Sequence, residues 1–315
     1  MKRIITMGLI LTAALCLVFL VWTRSARQMA ALQSSSQNQE ETDHSTEAGR
    51  ESGREPDGKS PEEENRESDG ESRKEEETAV SEEDLKAAES VVENERISIF
   101  EGMIGPQKIR LSIYRKDDQL TASYVKRNEE ENEIKLEGTI NTKTTSFQLN
   151  NEEKGISIMG RILPATAEGD VLEGAYTSPE SATGFKFLVS LAYGMTASPD
   201  APYSMVTGST ADEVEAFAGK IKKYILEDNK KDLAGLISYP ITVTMDGTVT
   251  AINTAEEFEK NYDKIITAEF RSRIADTYTK YLFTNYMGIM MENGALWFSD
   301  GNGGAGLKII SINND

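Results

Sequence analysis

The side chains that most often carry catalysis or bind zinc are almost missing from this sequence. Its 315 residues include one histidine, His44, and one cysteine, Cys16. Cys16 lies in an apolar N-terminal run and His44 in a charged segment, so neither belongs to the stretches with a folding pattern. The sequence therefore excludes Ser-His-Asp and Cys-His nucleophiles and the usual zinc sites. It predicts no catalytic residue, no metal ligand and no cofactor.

A glycine-rich stretch at 301–306 resembles a phosphate-binding loop only superficially. Such a loop ends in Gly-Lys-Ser/Thr and runs into a helix whose N-terminus holds the phosphate. Here neither the lysine nor a helical pattern follows, because a strand pattern begins at Leu307. The stretch is predicted to be a flexible hairpin loop.

The apolar run at residues 4–22 predicts the compartment. Its 19 residues carry no charge, and a helix of that length spans about 28 Å, enough for a hydrocarbon core. The run is longer than the apolar part of most secretory signals, and residues 23–25 make a poor cleavage site. We therefore predict that residues 1–25 are an uncleaved anchor in the cell membrane, with the bulk of the chain outside the cytoplasm.

Two other interpretations of this N-terminus stay open. A cleaved signal peptide would give the same compartment without the anchor. Lipidation of Cys16 is disfavoured, because Leu15 stands where a small residue is expected and the apolar run continues beyond it.

A strongly acidic segment follows the anchor. Residues 40–84 contain 19 acidic and 6 basic side chains, and thus −13 of the net charge of −19. A segment so poor in apolar residues cannot bury enough surface to fold, so residues 26–90 are predicted to be a disordered acidic tether with a short helix over 80–95. Its negative charge argues against a nucleic-acid partner. The alternative is an acidic docking segment for a basic partner or for cations.

Residues 96–195 alternate apolar and polar side chains, which predicts half-buried β-strands. Short turn clusters separate the runs, so sequential strands should pair as an antiparallel meander. Eight strands can close into a barrel and leave no exposed edge. The predicted strands are 97–102, 109–115, 120–125, 134–140, 146–150, 156–163, 171–177 and 184–193.

A short repeat recurs in three of these strands, as Phe-Glu-Gly at 100–102, Leu-Glu-Gly at 136–138 and Leu-Glu-Gly at 172–174. The glycines predict close backbone approach. The glutamates have the opposite parity to the apolar set and should face solvent; the alternative is a cation site made by all three. With these motifs the region resembles β-meander or barrel modules of exported bacterial proteins of unassigned function, a resemblance that implies a fold and no activity.

Residues 208–315 show helices first and a sheet afterwards, an α+β pattern. A linker rich in small residues and proline, 195–208, precedes them. Thr210 with Glu213 predicts a capped first helix, and Lys230 to Ile237 a short second one. Asp246-Gly247 predicts a hairpin, and Thr254 caps a third helix. The remaining predicted elements are a helix near 268–276 and strands at 281–291, 295–299 and 307–312.

The stretch 282–298, together with 236–240 and 309–313, resembles the nuclear-transport-factor-2-like (SnoaL/ketosteroid-isomerase-like) superfamily. The resemblance implies a cone-shaped fold in which helices pack on a bent antiparallel sheet. Members with chemistry generally use an aspartate or histidine in the cone, assisted by tyrosine. Asp232 and Asp263 are the available acids here, but both also fit a solvated helix surface. The resemblance thus implies six ligand-binding candidates: Tyr239, Tyr262, Asp263, Asn285, Tyr286 and Trp297.

The leading functional hypothesis is a membrane-anchored, non-catalytic protein that binds an envelope protein partner or a small ligand. One alternative is an isomerase- or hydrolase-type enzyme in the C-terminal cone. It requires a buried carboxylate near Tyr262 or Tyr286, and a cone filled by Met287, Met290, Met291 and Phe298 would exclude it. The other alternative is a component of a multiprotein envelope assembly.

Overall fold

The structure, a computed structural model, describes residues 82–167, 169–301 and 306–315. The predicted anchor at 1–25, nearly all of the predicted tether and the tip of the glycine-rich loop lie outside these residues. Within the described part of the chain, no helix has the length and apolar character needed to cross a membrane.

The first described domain is a closed barrel of eight antiparallel strands, as the alternating pattern predicted. Each strand pairs with the next one in sequence, and the first pairs with the last to close the barrel. The strands are β1 (Ile97–Ile104), β2 (Gln107–Lys116), β3 (Gln119–Lys126), β4 (Glu129–Asn141), β5 (Ser146–Asn151), β6 (Ile156–Thr166), β7 (Gly169–Ser178) and β8 (Ser181–Met195).

Side-chain alternation fills the barrel with apolar groups. In β2, Ile109, Leu111 and Ile113 are buried and belong to the interior cluster, while the residues between them face outward. The same parity places Phe147, Leu149 and Phe187 in that cluster. The interior is therefore a packed core over most of its length.

The three repeated glycines lie where two backbones nearly touch. A Cβ atom added at Gly138 would lie 1.8 Å from the carbonyl oxygen of Gln148, and one at Gly102 or Gly174 would meet a carbonyl oxygen of the neighbouring strand at 2.2 or 2.1 Å. No side chain fits at such distances. The predicted role of these glycines is therefore confirmed.

A helix, α1 (Glu82–Val91), covers one end of the barrel. Its Ala88 and Val91, with Val92 beyond it, are buried in the interior cluster. The guanidinium of Arg115, near the end of β2, donates to the carbonyl oxygen of Val92 at 3.0 Å. The predicted helix over 80–95 is thus present, and its apolar side closes the barrel where β2 turns into β3.

The C-terminal domain packs helices against a six-stranded sheet. The helices are α2 (Ala211–Leu226), α3 (Lys230–Gly235), α4 (Ala255–Ile265) and α5 (Ala268–Ala275). The strands, in the order β10-β9-β14-β13-β12-β11, are β9 (Ile237–Met245), β10 (Thr248–Ile252), β11 (Phe283–Asn285), β12 (Gly288–Met291), β13 (Leu296–Asp300) and β14 (Leu307–Asn314). Only β9 and β14 pair in parallel among these strands.

Helix starts in this domain follow their capping residues. Thr210 and Glu213 form the predicted capping box of α2, and Thr254 caps α4. Thr267 caps α5 in the same way, its hydroxyl accepting from the backbone N–H of Phe270. Each cap satisfies N–H groups that the first helical turn leaves free.

Two predicted boundaries are wrong in the C-terminal domain. The second helix, predicted to extend to Ile237, ends at Gly235, and Ile237 is already the first residue of β9. Residues 281–291, predicted as one strand, form the hairpin β11–β12 around Tyr286 and Met287. The Asn285 side chain makes this turn by accepting from the backbone N–H of Met287 at 2.8 Å, a local bond typical of asparagine.

The predicted linker 195–208 is packed against the C-terminal domain through one buried aromatic side chain. Tyr203 is fully buried in the core of that domain. Its hydroxyl accepts from the backbone N–H of Leu282 at 3.0 Å and donates to the Glu215 carboxylate at 3.3 Å. The connection therefore belongs to the folded structure.

The barrel and the C-terminal domain lie in one compact unit and meet at residues 276–283, which we call the junction segment. This segment connects α5 to β11 and covers the outer face of β1 and β2. Beneath it, Arg110 and Glu101, which are opposite each other in the ladder, form an ion pair with an Nε–Oε1 distance of 3.0 Å. Arg110 also donates to the carbonyl oxygen of Lys280 at 3.0 Å, and only 8% of its surface is exposed.

The ring of Tyr278 lies between two guanidinium groups. Those of Arg110 and Arg127 lie 4.6 and 4.5 Å from its centroid, well within the range of cation–π attraction. Arg127 also forms an ion pair with Asp276 at 2.9 Å. The ring is almost fully buried, so these contacts are shielded from water.

Acidic side chains at the start of β4 bind the rest of the junction segment. The Glu130 carboxylate accepts from the backbone N–H and the hydroxyl of Thr279 at 2.6 and 2.9 Å. The Glu133 carboxylate accepts from the Tyr281 hydroxyl at 2.9 Å. Charge-assisted bonds of this kind are the stronger class of hydrogen bond, so β4 anchors the C-terminal domain to the barrel.

The glycine contacts lead to a stability prediction. We expect Gly138→Ala to lower the free energy of unfolding by about 2–3 kcal/mol, because the added methyl group overpacks β4 against β5. Gly219→Ala is the control: nothing lies within 4 Å of that position inside α2, so alanine should stabilise the helix by about 0.5–1 kcal/mol. Urea unfolding of the purified full-length chain measures both changes, and equal effects would contradict the close approach.

The buried ion pair leads to a second prediction. Arg110→Met should lower the free energy of unfolding by about 3 kcal/mol, because it leaves the Glu101 carboxylate under the junction segment without its partner. Adding Glu101→Leu should recover part of the loss. Arg161 and Glu173 make a matched control, since they are also opposite each other on the outer face but Arg161 is exposed.

In that control, Arg161→Met should change the free energy of unfolding by less than about 0.5 kcal/mol. Chemical denaturation followed by circular dichroism measures all three variants. If Arg110→Met and Arg161→Met prove equally mild, the junction does not depend on the buried pair.

Candidate functional site

Three of the predicted ligand-binding residues lie around α3 and α4. The Tyr239 hydroxyl donates to the carbonyl oxygen of Ala234 at 3.2 Å. Tyr262 is fully buried in the core, and its hydroxyl has no hydrogen-bond partner among the described residues. Asp263, next to it in sequence, is exposed and forms an ion pair with Lys230 at 2.8 Å. This aspartate therefore lies on the surface of the domain.

The other three predicted residues lie on β11, in the turn that follows it and on β13. Asn285 and Tyr286 belong to the β11–β12 turn, where Tyr286 is 84% exposed. Trp297 is half-buried on β13. Three strands separate β9, which carries Tyr239, from β11, a distance of roughly 19 Å across the sheet. The structure does not bring the six residues together in one site.

The interior of the C-terminal domain is filled with apolar side chains. Of the four residues that could fill the cone, Met291 and Phe298 are fully buried in the core, Met290 is half-buried and Met287 is exposed. No aspartate or glutamate is among the buried residues in the part of the chain that the structure describes. Desolvation raises the pKa of two partly buried carboxylates of this domain, Glu215 and Glu292, and Glu215 is paired with Lys280 at 2.8 Å.

A concave site lies instead at the mouth of the barrel, the end opposite α1. Its cavity has a volume of about 240 Å³. Ile104 and Ile109 contribute apolar walls, and three aromatic rings line the cavity with them: Tyr124, Tyr176 and Phe185. A cavity of this size suits a small ligand, since drug-sized ligands need about 300 Å³ or more.

Two tyrosines meet in this cavity. Tyr124 and Tyr176 lie edge to face, with ring centroids 6.4 Å apart and planes at 87°, and the Tyr124 hydroxyl donates to that of Tyr176 at 3.3 Å. Burial raises the pKa of Tyr124 far above its usual value, and the Tyr176 hydroxyl and the Glu180 carboxylate raise it further. The Tyr124 hydroxyl therefore keeps its proton at physiological pH, and a phenolic hydroxyl can both donate to and accept from a bound group.

The rim of the mouth carries polar and charged groups. Gln107 and Ser178 line it with the charged side chains of Lys126, Glu129 and Glu180. The Lys126 ammonium is paired with Glu129 at 3.4 Å. Within the described residues Glu180 has neither an ion pair nor a hydrogen bond, so its negative charge remains available at the mouth.

The three repeated glutamates do not form a shared site. Glu101 is paired with Arg110 below the junction segment, Glu137 is exposed on β4, and Glu173 is half-buried on β7. The expectation of a solvent-facing row is thus confirmed for Glu137 and wrong for Glu101, because the C-terminal domain covers that part of the outer face. Among the described residues, no group of three or more acidic, histidine or cysteine side chains is arranged to hold a metal ion.

Comparison with known proteins finds no match to this chain among family models, curated proteins or solved structures.

The sequence pattern did not predict a site at the barrel mouth, and the reason is physical. Tyr124 and Tyr176 occupy ordinary inward positions of β3 and β7, which predict core packing. Only the register of the closed barrel brings the ends of these two strands to the same opening. A signal did exist in the tyrosine type itself, since a phenol that faces the inside of a barrel needs a hydrogen-bond partner.

The buried tyrosines predict how stability depends on pH. Burial raises the pKa of seven tyrosines, to about 12 for Tyr193 and Tyr262, so the folded chain keeps protons that the unfolded chain releases above about pH 10. Their contribution to stability is complete below that pH and is lost as the pH rises toward the folded-state values. The seven are Tyr124, Tyr193, Tyr203, Tyr239, Tyr262, Tyr278 and Tyr281.

An alkaline titration tests this expectation. Phenolate absorbance and circular dichroism recorded on the same full-length sample should show a late, cooperative rise in phenolate that coincides with unfolding. Burial lowers the pKa of Lys280, but the hydrogen bond and charge of Glu215 raise it overall. Lys280 therefore also contributes stability that is lost as the pH rises. Complete ionisation of the tyrosines with an unchanged dichroism spectrum would contradict the prediction.

Proposed function

We propose that this chain is a non-catalytic binding protein that holds a small ligand in the mouth of its barrel. The observation that carries the proposal is the asymmetry of the barrel. One end is covered by α1, while the other end holds a cavity of about 240 Å³ lined by three aromatic rings. A largely apolar cavity with a few polar groups is the usual form of a small-molecule site.

The proposal includes the cellular setting. Residues 1–25 anchor the chain in the cell membrane, and the acidic tether holds the folded part away from an anionic surface on the outer side. The uncharged run at 4–22 and the net charge of −13 over 40–84 support this part. The ligand is accordingly one that occurs outside the cytoplasm.

The C-terminal domain serves in this proposal as a support and as a surface for partners. We propose that it belongs to the nuclear-transport-factor-2-like superfamily; four helices packed against a mostly antiparallel sheet support this part of the proposal. An enzyme in its cone is the less favoured alternative, because the core is filled and none of the acids that the structure describes there is fully buried.

A second candidate function is that of a subunit in an envelope assembly. The β11–β12 turn favours it, because Tyr286 and Met287 are 84% and 53% exposed at the tip of a hairpin. Exposed aromatic and methionine side chains are enriched in protein interfaces. Partners that co-purify with the intact anchored chain would support this role.

Native mass spectrometry tests ligand binding directly. The full-length chain, extracted from its membrane without denaturation, should carry a small additional mass. Ser178→Phe should abolish that mass because the new ring fills the mouth, whereas Thr139→Phe on the exposed outer face of β4 should retain it. A mass that persists in Ser178→Phe, or a chain that carries no bound mass and binds none of the small molecules added to it, would exclude binding in the barrel mouth.

A further inference from the structure

The charges at the barrel mouth are unbalanced. Lys126 is the one cation among the lining residues, and Glu129 pairs with it at 3.4 Å. The second carboxylate of the lining, Glu180, has no cationic partner in the described part of the chain. The mouth therefore presents a net negative charge beside aromatic walls.

The rings of the mouth have the properties of a cation site. Tyr124, Tyr176 and Phe185 all border the cavity, and the first two lie at right angles. The faces of such rings carry negative electrostatic potential and attract an organic cation within about 6 Å. The hydroxyl oxygens of the tyrosine pair add acceptors for N–H donors at the same place.

We propose that the ligand of the barrel mouth is a small organic cation, an ammonium group on a compact apolar body. This rests on the binding function proposed above. The apolar part would lie between the rings and Ile104, while the ammonium would lie toward Glu180.

Other ligand classes fit the mouth less well. An anion would meet the Glu180 carboxylate and would compete with Glu129 for the single lysine. A metal ion needs several converging oxygen ligands, and the described residues contain no such group. A neutral apolar molecule would gain no electrostatic attraction from the Glu180 carboxylate. A neutral probe therefore serves as the comparison in the test.

Three probes of one shape test the proposal: 2-phenylethylammonium, 2-phenylethanol and phenylacetate. Each is titrated against the full-length chain by calorimetry and by ligand-observed NMR. We expect the ammonium to bind about tenfold more tightly than the alcohol, from ring and carboxylate attraction together, and phenylacetate to bind more weakly than either.

Two single substitutions then test whether the Glu180 carboxylate attracts the ammonium group. Glu180→Gln should reduce the preference for the ammonium over the alcohol about threefold, while the control Glu137→Gln, on the exposed outer face of β4, should leave it unchanged. Both variants replace surface glutamates, so their circular dichroism spectra should match that of the parent chain. An unchanged preference in Glu180→Gln would overturn the role of this carboxylate and with it the proposal.

The outcomes separate this proposal from the function on which it rests. If 2-phenylethanol or phenylacetate binds as tightly as the ammonium or more tightly, and Ser178→Phe blocks that binding, the ligand is not a cation. The proposal that the barrel mouth binds a ligand would then still stand. A native bound mass with no binding of any probe would lead to the same two conclusions. If the chain carries no bound mass and binds none of the probes, both proposals are overturned.

A lysine side chain of a partner is a second source of ammonium. Nα-acetyl-lysine amide that binds more tightly than 2-phenylethylammonium would indicate this source.

Discussion

The buried pair of Arg110 and Glu101 is the interaction on which the rest of the architecture depends. On an isolated barrel both side chains would face water, and a solvated pair of this kind contributes little. Under the junction segment Arg110 is buried and Glu101 is partly buried, and further bonds from Arg110 to the Lys280 carbonyl and the Tyr278 ring compensate for the lost water. Such a pair is costly to break. It therefore selects one placement of the C-terminal domain on the barrel and opposes others.

Local patterns in the sequence were enough to predict the strands of the barrel and several helix starts. Alternation along the chain predicted all eight barrel strands because each strand has one buried face. The glycine of each repeated motif was predicted to approach another backbone, as at Gly138. Capping residues located the helix starts, as Thr210 and Thr254 show. Where a local hydrogen bond competed with the pattern, at Asn285, the prediction merged two strands into one.

Contacts between distant parts of the chain were beyond these patterns. Glu130 and Thr279 are 149 residues apart, and no periodicity relates them. The alternation of side chains along β1 predicted that Glu101 faces solvent, because alternation carries no information about another domain that covers the strand. The candidate site depends on the same kind of information. Tyr124 and Tyr176 meet through a register that only the closed barrel defines. The residues expected to bind a ligand in the C-terminal domain lie on separate strands, in its core or on its surface.

The position of α1 has a mechanical meaning. A pull on the chain from the N-terminal side of α1 reaches this helix, whose buried side chains close the barrel, before it reaches the barrel strands. Its far end is fastened to β2 by the Arg115 guanidinium on the Val92 carbonyl and by the bond from the Glu95 backbone N–H to the Arg115 carbonyl. Force along the chain would thus load these few bonds before the strand ladder. The first event under tension would be the loss of the cover from the barrel, with the junction to the C-terminal domain still intact.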